Sequence, residues 1–369
     1  MDDIRPIADR FLFEGDFHSA VPYGNGHINE TYAVRYASAD GTSRRYILQR
    51  INRHVFRHPV HLMQNMVAVS DHIRTRVAAA GGDPDRSAVT VVPTREGAPF
   101  FQHEDGTFWR GQVFIEGSLC IDQVEDVRHL YEAGKAFGEF QRMLGDFPVD
   151  CLYETIPDFH NTPVRLRDFE TVVAEDPVGR VDSVAADIAF VRARSADAGR
   201  LVGLLAEGLL PLRVTHNDTK LNNVLFDEVS GKAVCVIDLD TVMPGLSLYD
   251  FGDAIRFAAN TAVEDETDLD KVHLDFALFE NFTRGFLESA GPVLNEEEKR
   301  QLCFSARLIT FELGIRFLGD HIAGDPYFRI HRANHNLDRA RCQFRLLEEM
   351  ERDEAGMEDV VRRILAEVS

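Results

Sequence analysis

The chain has 369 residues, 44% of them hydrophobic and 27% charged, which fits an ordinary folded protein and excludes a disordered one. That length exceeds what one hydrophobic core usually serves, so two lobes are expected. With 61 acidic against 40 basic residues the formal charge is −21, which argues against nucleic acid or an anionic membrane as a partner.

The five cysteines, Cys120, Cys151, Cys235, Cys303 and Cys342, are few and far apart, and no Cys-x-x-Cys pair suggests a disulfide framework or a zinc site. Met1-Asp2-Asp3-Ile4-Arg5 lacks the basic start and apolar run of an export signal. No apolar stretch approaches the ~20 residues of a membrane helix. The expected location is the cytoplasm.

In chain order, Thr31–Tyr36 and Arg45–Ile51 read as strands joined by the turn Ser38-Ala39-Asp40-Gly41. Leu62, Met66, Val69 and Ile73 are spaced by three and four and predict a helix, which Gly81-Gly82-Asp83-Pro84 breaks. Ala88–Pro93 and Thr107–Ile115 predict two further strands, with Gly106 in the turn before the second. The first ~110 residues are therefore expected to form a small antiparallel sheet with one helix laid on it. From Asp126 the period becomes helical, with Val127, Leu130, Phe137, Phe140 and Leu144 on one face. Thr155–Gly199 reads as loops and short helices. Leu212–Asp240 is rich in strand signals. A helix through Leu302, Ala306, Ile309, Leu313 and Phe317 follows, then a long charged one over Leu337–Ala366.

Two segments carry the chemistry. Val214-Thr215-His216-Asn217-Asp218-Thr219-Lys220-Leu221-Asn222-Asn223 has the His-x-Asp of a kinase catalytic loop, with an Asn five residues after the Asp. Val234-Cys235-Val236-Ile237-Asp238-Leu239-Asp240 is an apolar strand ending in two carboxylates. Phosphoryl transfer needs positioning, charge neutralisation and a proton acceptor more than covalent help. Asp218 would accept the proton of an acceptor hydroxyl. Asn223 and Asp238 would give magnesium its hard oxygen ligands, with Asp240 less directly engaged. Lys220 would lie against the phosphoryl group. Taken singly, His-x-Asp also serves as a cap or ion pair, and a strand-end Asp forms turns; the spacing and context together favour a kinase.

Tyr23-Gly24-Asn25-Gly26-His27-Ile28-Asn29 stands before the Thr31 strand, where a phosphate-covering loop with contacts at Gly24 and Gly26 would lie. Lacking a third Gly, it also reads as a plain hairpin turn, and His27 as a solvent-facing turn residue.

These segments resemble the aminoglycoside phosphotransferase and choline kinase superfamily. With Tyr46-Ile47-Leu48-Gln49, Asp238-Leu239-Asp240-Thr241-Val242-Met243-Pro244-Gly245, Asp250-Phe251-Gly252-Asp253, Arg316-Phe317-Leu318 and Gly324-Asp325-Pro326-Tyr327-Phe328, they look like N-acetylhexosamine 1-kinases from about Phe11 to the last helix. The resemblance implies an α+β, bilobal, protein-kinase-like fold with a small antiparallel β-sheet N-lobe (1–112), a hinge linker (113–117) and a larger, mainly helical C-lobe (118–369). It implies ATP, Mg2+ and a sugar substrate phosphorylated on its anomeric hydroxyl. It carries the base role to Asp218 and the metal roles to Asn223 and Asp238, and places His27, Arg316 and Tyr327 at the sugar. Read from the residues alone, Arg316 serves equally as a structural ion pair, and Tyr327 as turn packing.

One departure stands out. The strand that holds the ATP-binding lysine of protein kinases reads Ile47-Leu48-Gln49-Arg50. Either Gln49 or Arg50 contacts the phosphates, or the role falls to magnesium and Lys220. Adenine is expected at Val113-Phe114-Ile115-Glu116-Gly117, around Phe114 and Glu116. The rival readings are a kinase of another small alcohol (another sugar, an aminoglycoside or an amino alcohol) and a nucleotide-binding pseudokinase.

Overall fold

The computed structural model describes residues 4–24, 28–122, 124 and 126–368. In chain order the elements are α1 (Arg5–Ala8), β1 (Asp16–Pro22), β2 (Glu30–Ala37), β3 (Ser43–Ile51), α2 (Pro59–Ala79), α3 (Pro84–Ser87), β4 (Val91–Val92), β5 (Phe101–Gln102), β6 (Phe108–Val113) and β7 (Ser118–Cys120). There follow α4 (Val127–Met143), α5 (Thr162–Glu175), α6 (Ala185–Ala193), α7 (Arg200–Ala206), β8 (Arg213–Thr215), β9 (Val224–Asp227), β10 (Ala233–Val236) and β11 (Met243–Gly245). The chain ends in α8 (Ser247–Ala258), α9 (Phe276–Ala290), α10 (Glu296–Ile322), α11 (His335–Arg352) and α12 (Glu354–Val368). This is the α+β class expected, with an antiparallel sheet early and helices late.

Two compact units divide these elements. One joins Met1–Cys120 to Asp146–Ile156 and Leu225–Met243; the other holds Ile121–Gly145, Pro157–Val224 and Pro244–Ser369. In the first unit the sheet runs β1-β2-β3-β6-β4, with β5 beside β6. Strand side chains alternate between faces, so Val34, Tyr36, Tyr46 and Leu48 turn to one core with Phe11, Phe13 and Trp109. Phe13 stacks on Tyr46 at 4.3 Å between ring centroids. A side chain at Gly111 would bring a Cβ within 2.8 Å of the Phe13 ring, which is why β6 carries glycine there. Helix α2 begins on Pro59, which suits a first helical position, and buries Leu62, Met66, Val69 and Ile73. Asn65 on α2 donates to the carbonyls of Tyr153 (2.7 Å) and Val242 (3.0 Å), which binds the two later segments into this unit.

The second unit is helical. Asp126 caps α4 by accepting from the Arg128 amide at 2.9 Å. Asn295 and Glu298 form a capping box at the head of α10. Glu298 also accepts from Arg213 (2.6 Å) and Ser247 (2.7 Å), so one carboxylate fixes the starts of β8, α8 and α10. Helices α4 and α9 meet backbone to backbone, since Gly134 and Gly138 of α4 face the carbonyls of Phe282 and Phe286.

Several boundaries differ from the sequence reading. The expected Ala88–Pro93 strand shrinks to β4. The stretch read as loops and short helices contains α5, whose Pro163 sits in its first turn, where a missing N–H costs nothing. The long terminal helix is two, parted at Asp353.

A Cβ at position 138 would stand 2.5 Å from the Phe286 carbonyl and 2.9 Å from Ser289. Gly138→Ala is therefore expected to lower the unfolding free energy by about 1–3 kcal/mol, as overpacking does. Urea titration measures it; a wild-type midpoint would show that α4 and α9 do not meet this closely.

Candidate active site

The loop after β8 has no regular backbone pattern, so its amides need other acceptors. Two carboxylates one turn apart on α8 supply them. Asp250 accepts from the amides of His216 (3.0 Å) and Asn217 (2.7 Å), and Asp253 from that of Thr219 (3.0 Å). The Thr219 hydroxyl donates to the Asp250 carbonyl at 2.7 Å. Gln141 of α4 also donates to Asp250. Burial pushes the Asp250 carboxyl above its ordinary value, against the pull of His216, both amides and Gln141. Buried His216 accepts from the Asp218 amide at 3.3 Å and packs edge-on against Phe137 and Phe140 of α4. Asn217 has φ 63°, a left-handed conformation that Asn tolerates better than most residues.

Asp218 keeps 27% of its side chain exposed. Lys220 Nζ lies 2.8 Å from one of its oxygens, and Asn223 Nδ2 donates to the other at 3.0 Å and to the Asp218 carbonyl at 2.8 Å. Burial acts to raise the Asp218 pKa, but Lys220, His216 and Asn223 outweigh it and hold the carboxyl below its ordinary value. Burial likewise works against the Lys220 charge, and Asp218, Asp253 and Glu264 overcome it. The three residues Asp218, Lys220 and Asn223, named from sequence spacing, thus form one hydrogen-bonded group.

In the first unit, Asp238 follows β10 with φ 58° and opens a 3-10 turn over Leu239–Thr241. Buried Asp240 in that turn pairs with Arg110 and accepts from Asn29 at 2.6 Å. Among the described residues no group of three or more His, Cys, Asp or Glu forms a ready metal cage. Magnesium does not require one, since one or two carboxylates with substrate phosphates suffice. The amide oxygen of Asn223 and the carboxylate of Asp238 are each, taken separately, the hard donor type that ion takes.

At the expected nucleotide end, Gly24 has φ 77° and open space where a Cβ would stand. Gly26 and His27 lie outside the described residues. Phe114 packs edge-on to Tyr23 at 5.4 Å and lies 3.8 Å beneath the Arg45 guanidinium. The Glu116 carboxylate is engaged by Arg45, with Nε at 2.9 Å. Its carbonyl and that of Gly117 accept from Arg86, and that of Ile115 from the Ser118 hydroxyl. Gln49 is bonded to Thr31 and Arg110.

In the second unit, Arg316 has no ion pair among the described residues; the alternative reading of a structural salt bridge is not what is found. Its guanidinium lies 5.2 Å from the Phe159 ring, 5.6 Å from Phe328 and 6.0 Å from Tyr327. Desolvation lowers its pKa against the attraction of Glu312 one turn earlier. Tyr327 is 59% exposed, and its turn is held by Asp320, which accepts from the Tyr327 and Phe328 amides. Beneath lies a group the sequence reading missed. Glu312 binds His160 Nδ1 at 2.8 Å and the Thr162 hydroxyl at 2.7 Å, and buried His160 Nε2 finds no partner among the described residues.

Removing the loop's anchor tests this geometry. Asp250→Ala would cost about 1–3 kcal/mol for each buried amide left without an acceptor. Unfolding titration should show that loss, and turnover should fall in the protein that remains folded. Unchanged stability and turnover would show that the loop stands without Asp250.

The phosphotransferase enzyme family model matches residues 19–285. Among solved structures the chain is similar to a microcompartment-associated aminopropanol kinase, at 18% identity with 96% of this chain and 98% of that one covered, TM-score 0.61. It is also similar to an aminoglycoside phosphotransferase from Alicyclobacillus acidocaldarius, at 15% identity with 97% and 95% covered, TM-score 0.59. A third is an amicoumacin kinase in complex with AMP-PNP and Ca2+, at 13% identity with 96% and 94% covered, TM-score 0.57. These likenesses share the fold. The chain belongs to the phosphotransferase enzyme family, as a small-molecule phosphotransferase that acts on an alcohol group.

Proposed function

We propose that the chain moves the γ-phosphoryl group of ATP to the anomeric hydroxyl of an N-acetylhexosamine, giving the sugar 1-phosphate and ADP. Asp218 takes the hydroxyl proton as the oxygen bonds to phosphorus and the bond to the ADP oxygen breaks. Lys220 keeps Asp218 ionised and lies against the phosphoryl group. Magnesium, held by the Asn223 carbonyl oxygen and the Asp238 carboxylate, would neutralise phosphate charge. Residues 113–117 serve as the hinge, and adenine binds through its backbone amides beside Phe114 and Glu116, with Gly24 and Gly26 in the loop over the phosphates. The anomeric hydroxyl is more acidic than other sugar hydroxyls, so a carboxylate held below its ordinary pKa still suffices as base.

The observation that carries the choice of acceptor is Arg316, a guanidinium set among three aromatic rings with no ion-pair partner among the described residues. It supplies fixed donors to a neutral, hydroxyl-rich ligand, and His27 and Tyr327 add to that set. The second reading, an amino-alcohol acceptor, has in its favour the aminopropanol kinase among the neighbours. A cationic acceptor would be repelled by that guanidinium.

Incubation with ATP, magnesium and a panel of sugars and amino alcohols, read by phosphorus NMR, tests the proposal. A phosphate on carbon 1 of N-acetylglucosamine or N-acetylgalactosamine is expected. Turnover of amino alcohols alone, or phosphate on carbon 6, would overturn it. Asp218→Asn should cut turnover by ~10²–10⁴ with nucleotide binding retained, the usual cost of losing a general base; near wild-type turnover would remove Asp218 from that role. Arg316→Ala should weaken sugar use by about 1–3 kcal/mol and spare ATP binding. Equal losses for both substrates in steady-state kinetics would contradict the assignment.

A further inference from the structure

The strand without the lysine has a cation beside it. Arg50 turns outward to Glu30, both being well exposed, and does not face the core. Gln49 donates to Thr31 Oγ1 at 3.0 Å and accepts from Arg110 Nε at 2.9 Å. Arg110 is the direct neighbour of Gln49 across β3 and β6, and only 1% exposed. Its Nη1 reaches the Asp240 carboxylate. The second Asp240 oxygen accepts from Asn29 Nδ2 at 2.6 Å, and Asn29 Oδ1 in turn accepts from the Asn52 amide at 2.9 Å. Two residues on, the Val242 carbonyl accepts from Asn65. The turn that follows Asp238 is thus held at Asp240 by β6 and by the residue before β2, and at Val242 by α2. An aspartate keeps a left-handed backbone only where its surroundings hold it there, and these contacts fix the residues two and four positions after Asp238.

An ion pair this deep is a weak source of stability, because desolvation offsets the attraction. What it does supply is a fixed position. We propose that Arg110 is a positioning residue for the metal end of the active site. Through Asp240 it fixes the turn that presents Asp238, and it places on β6 the buried positive charge that β3 lacks. The inference rests on the reading of Asp238 as a magnesium ligand. It also accounts for Asn29, last in the Gly-His-Ile-Asn string, which joins the strand after the glycine-containing segment to that same turn.

The test is calorimetric binding of AMP-PNP with and without magnesium to Arg110→Met, Arg110→Lys, Asp240→Asn and Asp238→Ala, with hydrogen exchange at residues 239–242. Arg110→Met is expected to weaken magnesium-dependent binding by about 10- to 100-fold, as loss of a partner behind a metal ligand does. It should speed exchange in the turn and leave metal-free binding and the acceptor KM unchanged. Arg110→Lys should recover part of the loss. Asp240→Asn, nearly isosteric, should act in the same direction and serves alone if Arg110→Met does not fold. Wild-type magnesium-dependent binding in both Asp240→Asn and Arg110→Met, with only a lower melting temperature, would overturn the proposal. Wild-type binding in Asp238→Ala would instead overturn the reading of Asp238 as a ligand. If Asp238→Ala weakens binding and the Arg110 and Asp240 variants do not, the positioning role alone fails.

Discussion

Three backbone amides of an irregular loop, those of His216, Asn217 and Thr219, end on two carboxylates of one helix turn. The Asp218 group depends on this constraint. Buried amides without acceptors would open the loop to water. With Asp250 and Asp253 as acceptors, the loop holds a left-handed Asn217 and aims Asp218 at Lys220 and Asn223. The same carboxylates draw in the rest of the unit. Gln141 brings α4 to Asp250, and Arg256 brings its own charge to Asp253 at 2.9 Å and to Glu264 at 2.8 Å. Helix α4 then lays Phe137 and Phe140 against His216.

The first unit solves a related problem with opposite charges. There a buried arginine reaches for a carboxylate, and the pair fixes a turn instead of a loop. Both devices put an aspartate beside a residue with positive φ, or make it that residue. Asn217 precedes Asp218, and Asp238 carries the left-handed backbone itself. Such conformations gather where a side chain must be aimed, and here they mark both chemical motifs.

The sequence makes some of this legible and hides the rest for physical reasons. The β-rich runs Thr31–Tyr36 and Arg45–Ile51 and the helical spacing of Leu62, Met66, Val69 and Ile73 are local signals, and these elements form as read. The His216–Asn223 spacing is local too, and its members meet. Asp250 and Asp253 are visible as part of a familiar string, but their role is set by partners 34 residues earlier, which no local period encodes. Arg110 reads as an ordinary strand residue because its carboxylate lies 130 positions away. His160 and Glu312 are likewise 152 apart. The β1 strand is hard to read because its Asp16, His18, Ser19 and Pro22 blur the period of an edge strand. The break at Asp353 has no Gly or Pro to announce it.

The central claim is that the loop carrying Asp218 is built before any ligand arrives, by carboxylates accepting its amides. Hydrogen exchange at the His216, Asn217 and Thr219 amides of the ligand-free protein tests this most directly. Protection close to that of the α8 backbone amides is the expected result. Exchange at the rate of an open surface loop, with protection appearing only when nucleotide and acceptor are added, would contradict it.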